Sequence, residues 1–439
     1  MKRRVYMQGI AASLAGPLAA CAGGSAAQPV RDQQPTPEPA PAKISFMIPG
    51  GPADEDYLHV FDAFRPKYPR ITAEFVRAGT GYTQAYVDKL NTLISSGEGP
   101  DVFKPFDGTF GQYAHTGVFK QLDDYIKRSA AEVQLDDIYP AYQEASKYKG
   151  KIYSIVHNGA PFGVWMNVDL LQREGLSLPS WDWTWADMLK MAQVMTKRDA
   201  TGRATQIGLA RAPYPTWIWS AGGDVYSAGG THMLIDQPPA IEALTWLQES
   251  VHRHRVSPTA EEQADQTLSL FEQGNVGMAA TSRGPLARYR NVTNFTFDCV
   301  PLPRGPKGRL SELGVGYTSI WSGTKAPDAA FTFLSFFCGA EGQRAATSRG
   351  VAVPSRKSLV EEPWYKDYSA PRSASNKINT VFTDTLKRNE ARARAPHPRE
   401  ADVFRSIVTN MNDLWSNAKP PRDVAQAIVA ETSGMMTRP

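Results

Sequence analysis

Apolar and polar positions alternate where the folded part of the chain begins. Ile44, Phe46 and Ile48 share one face and predict a short strand that ends at Pro49-Gly50-Gly51-Pro52. In EDYLHVFDAFRPKYP the spacing becomes helical, with Leu58, Phe61, Phe64 and Arg65 in register until Pro66 and Pro69 stop it. ITAEFV alternates again. TQAYVDKLNTLISSG gathers Tyr86, Leu90, Leu93 and Ile94 on one helical face and closes at Gly97, and PDVF reads as a third strand. Strand, helix, strand, helix, strand is the rhythm of a parallel, doubly wound α/β sheet.

The rhythm changes after YKGKIYSIVHNGAPFGVWMNVDLL, which predicts strands with little helix. Thr184 is a good N-cap for a helix running to about Lys197, with Trp185, Met188, Leu189, Ala192 and Met195 on its apolar face. Further helices are predicted at 238–255, 261–273, 326–338, 400–416 and 421–435. APYPTWIWSAGG, residues 212–223, fits neither period. Its prolines forbid a central strand or a long helix, so Tyr214, Trp217 and Trp219 stand in a loop or a short helix, as core plugs or as a stacking surface.

The first residues follow a different plan. Lys2, Arg3 and Arg4 precede a short apolar stretch that ends Leu18-Ala19-Ala20-Cys21. That order suits an export signal over 1–20, with Cys21 as the lipid-modified first residue after cleavage, and Arg3-Arg4 hints at the twin-arginine route. Residues 21–42, rich in Pro and Ala, predict an extended tether. Loss of 1–20 removes three positive charges and no acid, which takes the formal net charge from +4 to +1. A nearly neutral body argues against electrostatic nucleic-acid binding. At 439 residues the chain suits two domains, and no apolar run of bilayer-spanning length occurs after the signal. Cys299 and Cys338 both lie in apolar contexts, as a bridge or as two buried thiols.

Enzyme signatures are largely absent. GxSxG, HExxH, GxxxxGK[ST] and GxGxxG do not occur, and His252 and His254 are spaced to diverge on a helix. No metal and no cofactor are implied. The chain is instead marked by Gly- and Pro-containing stretches that carry aromatic or hydrogen-bonding groups: APYPTWIWSAGG, IVHNGAPFG, the SRG of 282–284 and the GVGY of 314–317. Such loops between two rigid lobes suit a ligand cleft, and sugars pair aromatic faces with polar side chains.

These stretches occur together with FDAFRPKYPRITAEF, SSGEGPDVF, KGKIYSIVHNGAPFGVWMNVDLLQREGL, WTWADMLKMAQVMTKRDATGRATQIGLA, FEQGNVGMAATSRGP, PLPRGPKG and TKAPDAAFTFLSFFCGAEGQRAATSRGVAVPSR. In that order they resemble the extracellular solute-binding proteins of bacterial ABC importers, family 1, the cluster that takes up oligosaccharides, polyols and glycerol phosphates. The resemblance implies a two-lobe periplasmic-binding-protein fold of type II, with lobe 1 over 43–155 plus 303–350 and lobe 2 over 156–302 plus 351–439. It implies a carbohydrate-like solute in the interlobe cleft, docking on an ABC permease, no chemistry, a lipid anchor in the membrane and a monomer.

By position the resemblance brings Phe106, Asp107, His157, Asn158, Tyr214, Trp217, Trp219, Arg283, Gly316, Tyr317 and Arg349 to the cleft, while Trp165, Trp181, Trp183 and Trp185 go to the core. The chain departs from its relatives where Arg283-Gly284-Pro285-Leu286 lacks the Trp that many carry after Asn-Gly-Pro. Arg283 and Arg349 are therefore candidates to grip a phosphate or carboxylate. A surface glycoside hydrolase, with an acid pair across the cleft, and a sensory binding protein are the alternatives.

Overall fold

The computed structural model describes residues 40–50, 54–78, 83–347 and 352–436, without the side chains of 54–56 and 107. Ala42–Ile48 pairs in parallel with Ile71–Arg77 on one side and Val102–Phe103 on the other, so the opening rhythm does build a parallel sheet. The helix between the first two strands runs from Asp54 through Pro66 to Lys67. A proline in the last turn forgoes one bond without stopping the helix.

The next strands of this first sheet come from farther along the chain and are antiparallel. Ser311–Ile320 pairs with Val102–Phe103 and with Ile155–Pro161, and Val353–Pro354 adds the outer edge. A second sheet has Gly163–Asn167 near its centre, between Phe297–Pro301 and Val276–Thr281, followed by Ala204–Leu209 and Lys197–Arg198.

The chain passes from the first sheet to the second at Phe162 and returns between Pro301 and Ser311. It leaves again after Val353–Pro354 and touches Ser311 and Glu312 once more through Ala391–Arg392. The crossings are tied together: the Phe162 N–H donates to Ser311 Oγ at 2.6 Å and to Glu312 O at 3.1 Å. Arg309 braces the return crossing with hydrogen bonds to the Leu302 and Trp181 carbonyls and an ion pair of 2.9 Å to Glu390. Trp181 lies against the guanidinium groups of Arg309 and Arg388.

Two apolar cores follow from this topology. The first packs Phe46, Phe61, Phe333 and Phe337 on the first sheet and continues under the second sheet as Trp165, Tyr289 and Phe297. The second holds Trp183, Trp185, Trp217, Leu244, Val403 and Ile407. Thr184 caps the Trp185–Met195 helix through a reciprocal pair with Asp187. The helix expected over 261–273 is broken instead into Ala260–Ala264, Gln266–Ser269 and a 3-10 turn at Phe271–Gln273. Asp265 causes the first break, because its carboxylate accepts from the Thr267 N–H at 3.0 Å and restarts the chain. Cys299 and Cys338 are separate buried thiols. Among the described residues no helix is long and apolar enough to cross a membrane.

Candidate functional site

A cavity of about 650 Å³ lies where three segments converge. One wall is the helix Pro140–Ala145 and the hairpin after it, carrying Glu144, Lys147, Tyr148 and Lys149. The facing wall runs from Trp219 through Asp224, Tyr226 and Gly230. The third is Arg392 to Pro398, a stretch with two prolines and no glycine, laid down after the last crossing.

Trp219 reaches this cavity because Tyr214–Ser220 forms a short helix, with Pro215 in the first turn where its missing N–H is harmless. The Trp219 indole N–H donates to Asp224 Oδ1 at 2.9 Å. Arg392 closes the triangle: its guanidinium carbon stands 4.2 Å from the Trp219 ring centre, and it donates to Asp224 Oδ2 at 2.8 Å. Behind them, Arg394 meets Glu312 at 3.1 Å and Glu400 at 3.5 Å. Burial would lower the Arg394 guanidinium, but Glu400 and Glu312 outweigh it and hold the charge firmly. Burial raises the Glu312 carboxyl against the pull of Arg394. Tyr214 is half-buried beside this cluster, its phenol pushed up by burial. His397 is neutral, held below its ordinary value first by burial and also by Arg399 and His115, and its Nδ1 accepts from the Arg399 N–H at 3.0 Å.

The residues expected at the cleft are dispersed. Among the described residues of this set, Trp219 alone lines the cavity, and Tyr214 lies near Arg394 at its back. Trp217 does not present a face: it is 1% exposed and stacks between Trp185 and Trp246, with ring centres 6.0 and 5.4 Å away. His157 is also core. It lies beneath Phe337 and Tyr57, its Nδ1 shares a hydrogen bond of 3.0 Å with Thr318 Oγ1, and burial, then Lys104, keep it neutral.

Arg283 is fully buried, donating twice to Asn379 Oδ1 and lying over the rings of Tyr365 and Tyr368, so it cannot grip a solute in the cavity. Gly316 pairs with Asn158 in the first sheet, where a side chain would collide with Asn158 Oδ1, and Tyr317 is stacked on Phe110. Phe106 is 45% exposed outside the cavity wall. Cys21, Arg349 and the side chain of Asp107 lie outside the described residues.

Sequence reading missed the Arg392–Pro398 wall and the turn at 224–231. The available signal was the run ARARAPHPRE, where cations, prolines and a histidine stand without an apolar period.

Residues 52–344 match the family described as bacterial extracellular solute-binding protein. The maltotriose-binding protein of Pyrococcus abyssi is 26% identical over 259 residues, which covers 56% of this chain and 52% of that protein. This chain therefore spans about half the length of that curated relative. Among solved structures, an ABC substrate-binding protein from Listeria monocytogenes in complex with cycloalternan superposes with a TM-score of 0.77 at 20% identity, covering 90% of this chain and 100% of that one. The cyclic alpha-maltosyl-1,6-maltose binding protein of Arthrobacter globiformis gives 0.75 at 18% identity, covering 91% and 100%. These likenesses show the two-lobe periplasmic-binding-protein fold.

Proposed function

Because the chain belongs to the bacterial extracellular solute-binding proteins, we propose that it captures a carbohydrate in the cavity walled by Trp219, Arg392 and Tyr148 and hands it to an ABC permease. The observation that carries this reading is the cavity itself. About 650 Å³ suits a solute of oligosaccharide size, and elements of both sheets' lobes contribute to its walls. The relatives' names, with maltotriose, cycloalternan and cyclic maltosyl-maltose as ligands, support a carbohydrate as the solute class.

In this reading residues 1–20 are removed, lipid on Cys21 holds the protein at the membrane, and 21–42 give it reach. The lobes, 43–155 plus 303–350 against 156–302 plus 351–439, close on solute by bending at the crossings near Phe162, 302–310 and 355–390. The sheet pairing of Ile155–Pro161 and Val353–Pro354 supports moving the lobe boundaries a few residues later than the sequence suggested. Binding without chemistry is supported by Asp224, whose carboxylate is taken up by Trp219, Arg392 and the Val225 N–H, leaving it poorly placed as a catalytic acid or base.

The test is thermal unfolding of the purified protein with maltose, maltotriose, a polyol, glycerol 3-phosphate and an amino acid. A solute at about a hundred times its dissociation constant adds roughly 2.7 kcal/mol and raises the melting temperature. A shift with maltotriose or another sugar is expected. A shift with the amino acid alone, or an empty protein that responds to none, counts against the proposal.

A further inference from the structure

Gly111 lies in the helix Phe110–His115, which is fixed to the first core. Phe110 stacks on Tyr317 with ring centres 4.4 Å apart, and Tyr113 packs on Phe103 and Phe119. The chain that faces Gly111 leaves the first sheet at Ala391–Arg392 and is fixed beyond that point to the second core. Tyr226 donates to Ala395 O at 2.5 Å, and the helix Glu400–Trp415 sends Val403 and Ile407 into the second core.

No side chain fits where these two bodies meet. A Cβ on Gly111 would stand 2.5 Å from both N and O of His397 and 2.7 Å from its carbonyl carbon. Those are main-chain atoms, which cannot swing aside as the end of a side chain can. His397 is confined from its other side as well: a Cβ on Gly230, at φ +65°, would stand 2.7 Å from the imidazole Cδ2. His397 itself lines the cavity, whereas Gly111 does not.

The geometry points to Gly111 as the positioning residue for cleft closure: its bare Cα lets the first lobe seat on the His397 peptide and so sets the final shape of the cavity wall. This rests on the solute-binding reading and adds to it a residue that never touches solute. A larger residue at 111 wedges the lobes apart along this edge and leaves each core intact.

The experiment places spin labels at Ser96→Cys and Gln172→Cys, exposed positions on the two lobes, in a Cys21→Ala background in which the buried Cys299 and Cys338 stay unlabelled. Gly111→Val is expected to lengthen the distance between labels, to leave the urea midpoint of solute-free protein unchanged, and to weaken maltotriose binding tenfold or more. Gly111→Ala does the same to a smaller degree and serves if the valine variant does not fold. The inference is overturned by an unchanged label distance in a folded variant. It is equally overturned if both variants fail to fold, or if their solute-free stability falls by as much as their affinity. If the unsubstituted protein ignores maltotriose and every other sugar tried, and Gly111→Val still lengthens the distance, closure stands and the carbohydrate reading falls. If it binds maltotriose and the variants match it in distance and affinity, closure falls alone.

Discussion

Replacing Trp217 with Ala separates a core residue from a ligand platform. The indole is 1% exposed between Trp185 and Trp246. A buried Trp removes on the order of 200 Å² from water, worth about 5 kcal/mol at ~25 cal/mol per Å². Among the described residues its Nε1–H has no hydrogen-bond partner. Truncation releases that unsatisfied donor, which offsets about 1–3 kcal/mol. The remainder, about 3 kcal/mol, agrees with the ~3–5 kcal/mol typical of Trp→Ala in a core. The expected result in urea unfolding followed by circular dichroism is a lower midpoint with an unchanged slope. Maltotriose affinity, measured by calorimetry well below the midpoint, should stay within about threefold of the unsubstituted protein. A stability loss under about 1 kcal/mol together with a tenfold loss of affinity would refute the argument.

Trp219→Ala should act on affinity, whatever it also costs the core in which the ring lies. It removes the ring under Arg392 and the donor to Asp224, so solute affinity should fall tenfold or more, about 1.4 kcal/mol, in the same calorimetric titration. His157→Gln tests a buried neutral imidazole. Burial and Lys104 hold its pKa well below the ordinary value, so the stability it confers is present above the unfolded pKa near ~6.5 and is lost as pH falls below it toward the folded value. The loss amounts to at most about 1.4 kcal/mol per pH unit for this group. Urea midpoints measured at neutral and mildly acidic pH should fall less in the variant, and equal slopes would show that His157 titrates alike in both states. Cys21→Ala should move the protein from the membrane fraction to the soluble one, and continued retention would sink the lipid anchor.

What the sequence disclosed was local. The alternation of Ile44, Phe46 and Ile48 and the Thr184 cap depend on neighbours within one element, and both appear where the pattern set them. Tyr214 to Ser220 shows the limit. Residues two apart on a helix point about 200° away from each other, so Trp217 and Trp219 could not share a surroundings. Which of them reaches the cavity was settled by Trp185 and Trp246, partners remote in sequence.

Arg283 misled in another way. A cation beside Gly284 and Pro285 suggests an exposed loop, yet Asn379 and the Tyr365 and Tyr368 rings supply enough polar contact to bury it. The cavity wall at Arg392–Pro398 carries no period at all, so only three-dimensional convergence reveals it.

The strand order of the first sheet has a consequence for synthesis. Ser311–Ile320 lies between Ile155–Pro161 and Val102–Phe103, and the edge comes from Val353–Pro354. On the ribosome, therefore, the three parallel strands emerge with an unpaired inner edge and wait through about half of translation for the strand that covers it. Such long-range pairing folds slowly and leaves apolar edges open to misassociation. The first sheet cannot mature as a nascent unit, so a chain arrested before residue 311 is a substrate for chaperones and proteases rather than a half-finished binding protein.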